Sequence, residues 1–116
     1  MNPEIKKISE TFSKGDFAAT YPAMAENITW NVVGTRTIKG KTAVMAYCNN
    51  MLVDMAGSVL TNSNYIAEGD FVAVQGYCNY TNPDNTPGRV EYCDVYRFSS
   101  NLLVEITSYC VEIKNK

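Results

Sequence analysis

Tyr92-Cys93-Asp94-Val95-Tyr96-Arg97-Phe98 alternates residue by residue, and the period of two of a β-strand puts Tyr92, Asp94, Tyr96 and Phe98 on one side of it. Three aromatic rings and a carboxyl then share a face. An ionised carboxyl among apolar groups costs several kcal/mol or takes up a proton, so this placement calls for hydrogen bonds, a ligand or a chemical role.

Working outward, Thr81-Asn82-Pro83-Asp84-Asn85-Thr86-Pro87-Gly88 has turn composition and joins a strand over Phe71 to Tyr80 with one over Arg89 to Phe98. A register with Gly76 opposite Tyr92 and Val74 opposite Asp94 keeps Val72, Val74, Cys78, Tyr80, Tyr92, Tyr96 and Phe98 on one face. Ala73, Gln75, Tyr77, Cys93, Val95 and Arg97 fall on the other face, which is mixed enough to meet another subunit. Ser99-Ser100-Asn101 makes the next turn, into a last strand over Leu102 to Ile113. Val59 to Ala67 gives a further strand upstream.

Before Gly57 the apolar period is helical instead. Asn2-Pro3 is a helix-opening pair, and Ile5, Ile8 and Phe12 follow at spacings of three and four. Gly15 suits the left-handed position that ends this helix. Asp16 then caps a short second helix carrying Phe17, Tyr21 and Met24, broken or bent by Pro22. Ile28 to Gly34 reads as a strand anchored by Trp30. A third helix starts near Gly40-Lys41-Thr42 and aligns Val44, Tyr47, Cys48, Met51, Leu52 and Met55 in one stripe. Helices first and an antiparallel meander afterwards predict a single α+β domain over residues 1–116, with three N-terminal helices on a strongly curved, cone-shaped antiparallel sheet.

Composition narrows the function. The chain has 116 residues, 10 basic against 12 acidic, and no histidine, so it lacks both a phosphate-binding footprint and His-assisted catalysis. No apolar run approaches the length of a membrane span, and the N-terminal residues carry no apolar leader core, which together predict a cytoplasmic protein with no nucleic-acid or membrane partner. Cys48, Cys78, Cys93 and Cys110 contain no C-x-x-C pair. They read as free, mostly buried thiols, with two disulfides as the alternative in an exported protein.

Several short patterns carry a resemblance. Gly15-Asp16-Phe17, Ala25-Glu26-Asn27-Ile28-Thr29-Trp30, Ile38-Lys39-Gly40-Lys41-Thr42-Ala43-Val44, Ala67-Glu68-Gly69-Asp70-Phe71-Val72-Ala73-Val74 and Asp94-Val95-Tyr96-Arg97-Phe98 occur in that order. Their order and spacing resemble the nuclear transport factor 2-like superfamily, in its SnoaL-like and ketosteroid-isomerase-like branches. The resemblance implies a cystatin-like cone with a pocket between helices and concave sheet, and a homodimer through the outer face of the sheet. It places Asp94 where ketosteroid-isomerase-like members hold a protonated aspartate that donates to a developing enolate. It also places Val32 at the general-base position, Ile8 at the tyrosine donor, and Val111 where many SnoaL-like members carry an acid. Steroid isomerisation therefore lacks two of its three working groups here.

Asp94 is the candidate catalytic acid or base, and Tyr21, Trp30, Tyr47, Met51, Tyr92, Tyr96 and Tyr109 are the candidate ligand-binding wall. The alternative for Asp94 is a structural carboxylate satisfied by tyrosine hydroxyls or by Arg89. Two functions remain open. One is a cofactor-free pocket protein, of isomerase, cyclase or hydratase type, for a small and largely apolar molecule. The other is a non-catalytic dimerisation or accessory module whose pocket is filled or vestigial.

Overall fold

The computed structural model describes residues 3–114. Along the chain run helix α1 (Pro3–Ser13), a 3-10 segment (Ala18–Ala23), strands β1 (Met24–Val32) and β2 (Arg36–Lys39), helix α2 (Lys41–Asp54), and strands β3 (Val59–Glu68), β4 (Phe71–Thr81), β5 (Pro87–Ser99) and β6 (Leu102–Ile113). The six strands form one curved sheet in the order β2-β1-β6-β5-β4-β3, with the helices packed against it. The architecture is the expected α+β cone, with two corrections.

The sheet is mixed, because β1 lies parallel to β6 while every other neighbouring pair is antiparallel. Only two α-helices are present among the described residues. The second expected helix is a 3-10 turn with no side-chain cap from Asp16, and Met24 already belongs to β1. Pro22 lies inside that turn and lacks the donor that an α-helix would need. The N-terminal cap expected at Asn2 lies outside the described residues.

α1 ends as its glycine predicts. Gly15 takes φ 92°, its N–H bonds the Phe12 carbonyl and the Asp16 N–H bonds that of Thr11. This paired closure of the last turn, the Schellman motif, fixes where the helix stops. Ile5, Ser9, Phe12 and Ser13 form the buried face, and the Ser9 hydroxyl is satisfied by the Ile5 carbonyl. Thus Phe12 and Ser13 stand at the helix end, facing the sheet.

β1 starts earlier than expected and stops at Val32, and Gly34 at φ 82° turns the chain into β2. β2 carries no sequence signal, since only Ile38 of its four residues is buried. On α2 the expected stripe is only partly covered: Val44 and Cys48 are buried, whereas Leu52 is 45% exposed. The C-terminal half of α2 lies over a cavity rather than over packed side chains, as the lining role of Met51, Asp54 and Met55 shows.

The β4–β5 register is the expected one, with Gly76 opposite Tyr92 and Val74 opposite Asp94. Ser100 and Asn101, at φ 51° and 66°, turn β5 into β6. A bulge follows at once: Phe98 pairs with Leu103 but Arg97 pairs with Glu105. That extra residue moves Tyr109 from the position opposite Tyr92, where an unbroken hairpin would set it, to the outer face opposite Cys93. Along β5 the inner face divides. Tyr96 and Phe98 are sealed into the core with Val72, Val74, Leu103 and Ile106, while Val90 and Tyr92 line open space. Asp94 sits at the boundary.

Candidate functional site

The wide end of the cone encloses a cavity of about 540 Å³, within the usual range for a small-molecule site. Phe12 and Ser13 enter it from α1, Trp30 and Val32 from β1, Tyr47 and Met51 from α2, and Met55 from the position just after it. Cys78 and Tyr80 enter from β4, Val90, Tyr92 and Asp94 from β5, Ser108 and Cys110 from β6. Aromatic edges meet on its inner side, Phe12 against Trp30 at 5.1 Å and Trp30 against Tyr47 at 5.2 Å between ring centres, both T-shaped. That packing holds the wall in the geometry aromatic quadrupoles favour.

Asp94 is the polar centre of this wall. It is 8% exposed, and hydroxyls surround it. Ser13 Oγ donates to Asp94 Oδ2 at 2.8 Å, and the Tyr96 hydroxyl lies 3.4 Å from the same oxygen and 2.5 Å from Ser13 Oγ. Trp30 Nε1 donates to Ser108 Oγ at 2.9 Å, which leaves the Ser108 hydroxyl free to donate to Asp94. Burial pushes the Asp94 carboxyl above its ordinary value of 3.8, against the opposing pull of Ser108, Ser13 and Tyr96. Desolvation outweighs the hydrogen bonds, and among the described residues no positive charge acts on the group.

Of the two structural partners expected for Asp94, a tyrosine hydroxyl is present in Tyr96, whereas Arg89 is elsewhere. It pairs with Glu91 at 3.5 Å and lies over the Tyr77 ring at 4.0 Å. Two thiols and a phenol of the wall hold their protons more tightly than usual. Burial raises the Cys78 and Cys110 thiols, and burial together with the Asp94 charge raises the Tyr92 phenol. Cys48, behind the wall, is pushed up to about 12 by burial, so it is an inert core thiol.

Of the expected wall, Trp30, Tyr47, Met51, Tyr92 and Asp94 come together around the cavity. Three expected residues do not line it. Tyr96 is fully buried behind Asp94 and reaches it only through its hydroxyl. Tyr21 turns its hydroxyl to Asn49 Oδ1, 2.9 Å away, on the far side of α2. Tyr109 is 48% exposed on the outer face, where it lines a shallow depression with Gln75, Glu91, Cys93 and Val111.

Ser13, Ser108 and Asn62 were not singled out from the sequence. Ser13 was readable in principle, being eight residues after Ile5 on the same helical face. Asn62 accepts the Tyr92 hydroxyl at 2.7 Å and donates to the Glu10 carbonyl at 2.9 Å, tying that wall residue to α1. The four cysteines are free, as expected, but only Cys48 is buried; Cys110 is exposed and the other two are half-buried. Among the described residues no three histidine, cysteine or acidic side chains gather as a metal site, and no helix is long and apolar enough to cross a membrane.

A cone-shaped α+β fold with a side-chain-lined cavity is the frame of the nuclear transport factor 2-like superfamily. The SnoaL-like domain model matches residues 5–106, and the chain belongs to that family. No curated protein matches it. A nuclear transport factor 2-like protein of unknown function from Cytophaga hutchinsonii is 40% identical, with a TM-score of 0.92 over 96% of this chain and 99% of that one. Two more distant structures share the fold. One, provisionally assigned as a SnoaL-like polyketide cyclase from Jannaschia, is 11% identical at a TM-score of 0.80, covering 93% and 85% of the two chains. The other, the epoxide hydrolase/cyclase-like enzyme SalBIII of salinomycin pyran-ring formation, is 22% identical at 0.68, covering 94% and 85%.

Proposed function

We propose that this protein binds a compact, largely apolar small molecule in the cone and exchanges a proton with it at Asp94, in a reaction of the isomerase, cyclase or hydratase kind. One observation carries the reading: a buried carboxyl with a raised affinity for its proton opens into a roomy apolar cavity. Such a carboxyl titrates nearer to neutrality than a solvated one, where acid–base catalysis is most effective. The polyketide cyclase and epoxide hydrolase/cyclase-like neighbours, whose described chemistry includes ring formation, fit the same reaction class. A filled cone would have favoured the accessory module instead.

The test is proton exchange. A panel of neutral cyclic ketones and epoxides is incubated with the protein in heavy water and followed by NMR for deuteration beside the carbonyl or for ring opening. Turnover above the buffer rate by the wild type, lost in Asp94→Asn, supports the assignment. Thermal shift on the same panel extended with cyclic amines, with no ligand stabilising the protein, would defeat it, since a ligand at about a hundredfold excess over its dissociation constant adds about 2.7 kcal/mol.

We also propose a homodimer through the outer sheet face. Phe71, Tyr109 and Val111 are 50%, 48% and 61% exposed there, beside Gln75, Tyr77, Val95 and Arg97, and a solvated face would carry more charge. Sedimentation at micromolar concentration is expected to give a dimer, and Tyr109→Glu with Val111→Glu a monomer. A wild-type monomer would remove this proposal without touching the cavity.

A further inference from the structure

We infer that the polar end of the cavity's ligand is a protonated nitrogen, held by Asp94 among the aromatic rings. The inference rests on the reading of the cavity as a small-molecule site and adds the charge class of its occupant.

Hydrogen-bond bookkeeping around Asp94 leads there first. Ser108 and the Ser13–Tyr96 hydroxyl pair are aimed at the carboxyl; the pair uses one proton between its own oxygens and has one left for Asp94, and a carboxylate offers about four acceptor positions. The network is thus built for an ion that lacks a counter-charge. Buried charges in proteins are paired, and an unpaired one is costly. The titratable groups around Asp94 are the Tyr92 and Tyr96 phenols and the Cys93 and Cys110 thiols, none of which supplies a positive charge.

The rest of the cavity repeats the pattern. Among the described residues, its only charged lining residues are Asp54 and Asp94. Of the cations outside it, Arg97 pairs with Glu105, Lys6 lies over Tyr65, and Arg36 lies 5.6 Å from the centre of the Tyr47 ring without entering the wall. Phe12, Trp30, Tyr47 and Tyr92 line the same space, and aromatic faces attract cations most strongly where water is excluded. An anionic ligand would meet one acid at the floor, another at the rim and no compensating donor with charge.

Calorimetric titration at pH 7 with three indole probes separates the cases: tryptamine (cationic), tryptophol (neutral) and indole-3-acetate (anionic). Tryptamine is expected to bind at least about tenfold more tightly than tryptophol, and indole-3-acetate more weakly than either. Asp94→Asn should erase the amine's advantage and keep tryptophol binding, whereas Asp54→Asn, at the exposed rim, should leave the ranking intact. Tryptophol binding as tightly as tryptamine overturns the inference and leaves the small-molecule reading standing. An amine preference that survives Asp94→Asn and disappears in Asp54→Asn also overturns it. Failure of all three probes to bind at millimolar concentration counts against both. If Asp94→Asn does not fold, the wild-type ranking and the Asp54→Asn result still decide.

Discussion

Asp94→Asn is expected to give a folded protein that is more stable than the parent at pH 7, by about 0.5–2 kcal/mol, and slower in proton transfer by about 10²–10⁴-fold. Asparagine keeps the shape and an acceptor for Ser13 or Ser108, but it removes a charge that burial makes unfavourable. The sign of the pH dependence follows from the direction of the shift. In the folded state Asp94 binds its proton more tightly than at the ordinary value of 3.8. The stability that its protonated form contributes is therefore fully present below that value and is lost as pH rises through the folded one. The advantage of Asp94→Asn should vanish at the acid end and grow toward neutrality. Urea unfolding of both proteins across that range measures it. An Asn variant that is less stable at pH 7 would mean that the hydroxyl donors outweigh desolvation.

Gly76→Ala is expected to cost about 3 kcal/mol or more, at or beyond the upper end of ordinary overpacking. A Cβ at Gly76 would overlap the Thr61 carbonyl oxygen and the Tyr92 ring. The first of these is backbone, so no rotamer change relieves it, and β3 itself would have to move. Tyr92 lies across Gly76 from the neighbouring strand, and Tyr80 lies across Gly88 in the same way. Both rings line the cavity, so each glycine makes room for part of its wall. Gly57→Ala is the control. It meets nothing within 4 Å but has φ 86°, which limits its cost to roughly 1–2 kcal/mol of backbone strain. Equal denaturation midpoints for the two variants would contradict this account of Gly76.

The elements nearest the site were the most legible in the sequence. Alternation from Tyr92 to Phe98 and the loop before it placed Asp94, its face and its register opposite Val74, because a hairpin is a local structure with a local signature. The parallel pairing of β1 with β6 has no such signature, since the two strands are distant in sequence and meet only through packing. Tyr109 was misplaced because one bulge residue in β6 reverses the parity of everything after it, and a bulge leaves no mark in the apolar pattern. The polar partners were hidden for a different reason. A serine at a helix end or in a strand reads as solvated, and only the fold reveals that Ser13 and Ser108 converge on one carboxyl.

The most direct test of the role given to Asp94 is an NMR titration of its side-chain carboxyl carbon in the folded protein. Buried, ringed by hydroxyls and, among the described residues, faced by no cation, the group should titrate above its ordinary value of 3.8. A midpoint at or below that value would show that Ser13, Ser108 and Tyr96 stabilise the charged form more than burial opposes it, making Asp94 a structural anchor and removing the basis for proton exchange in the cavity.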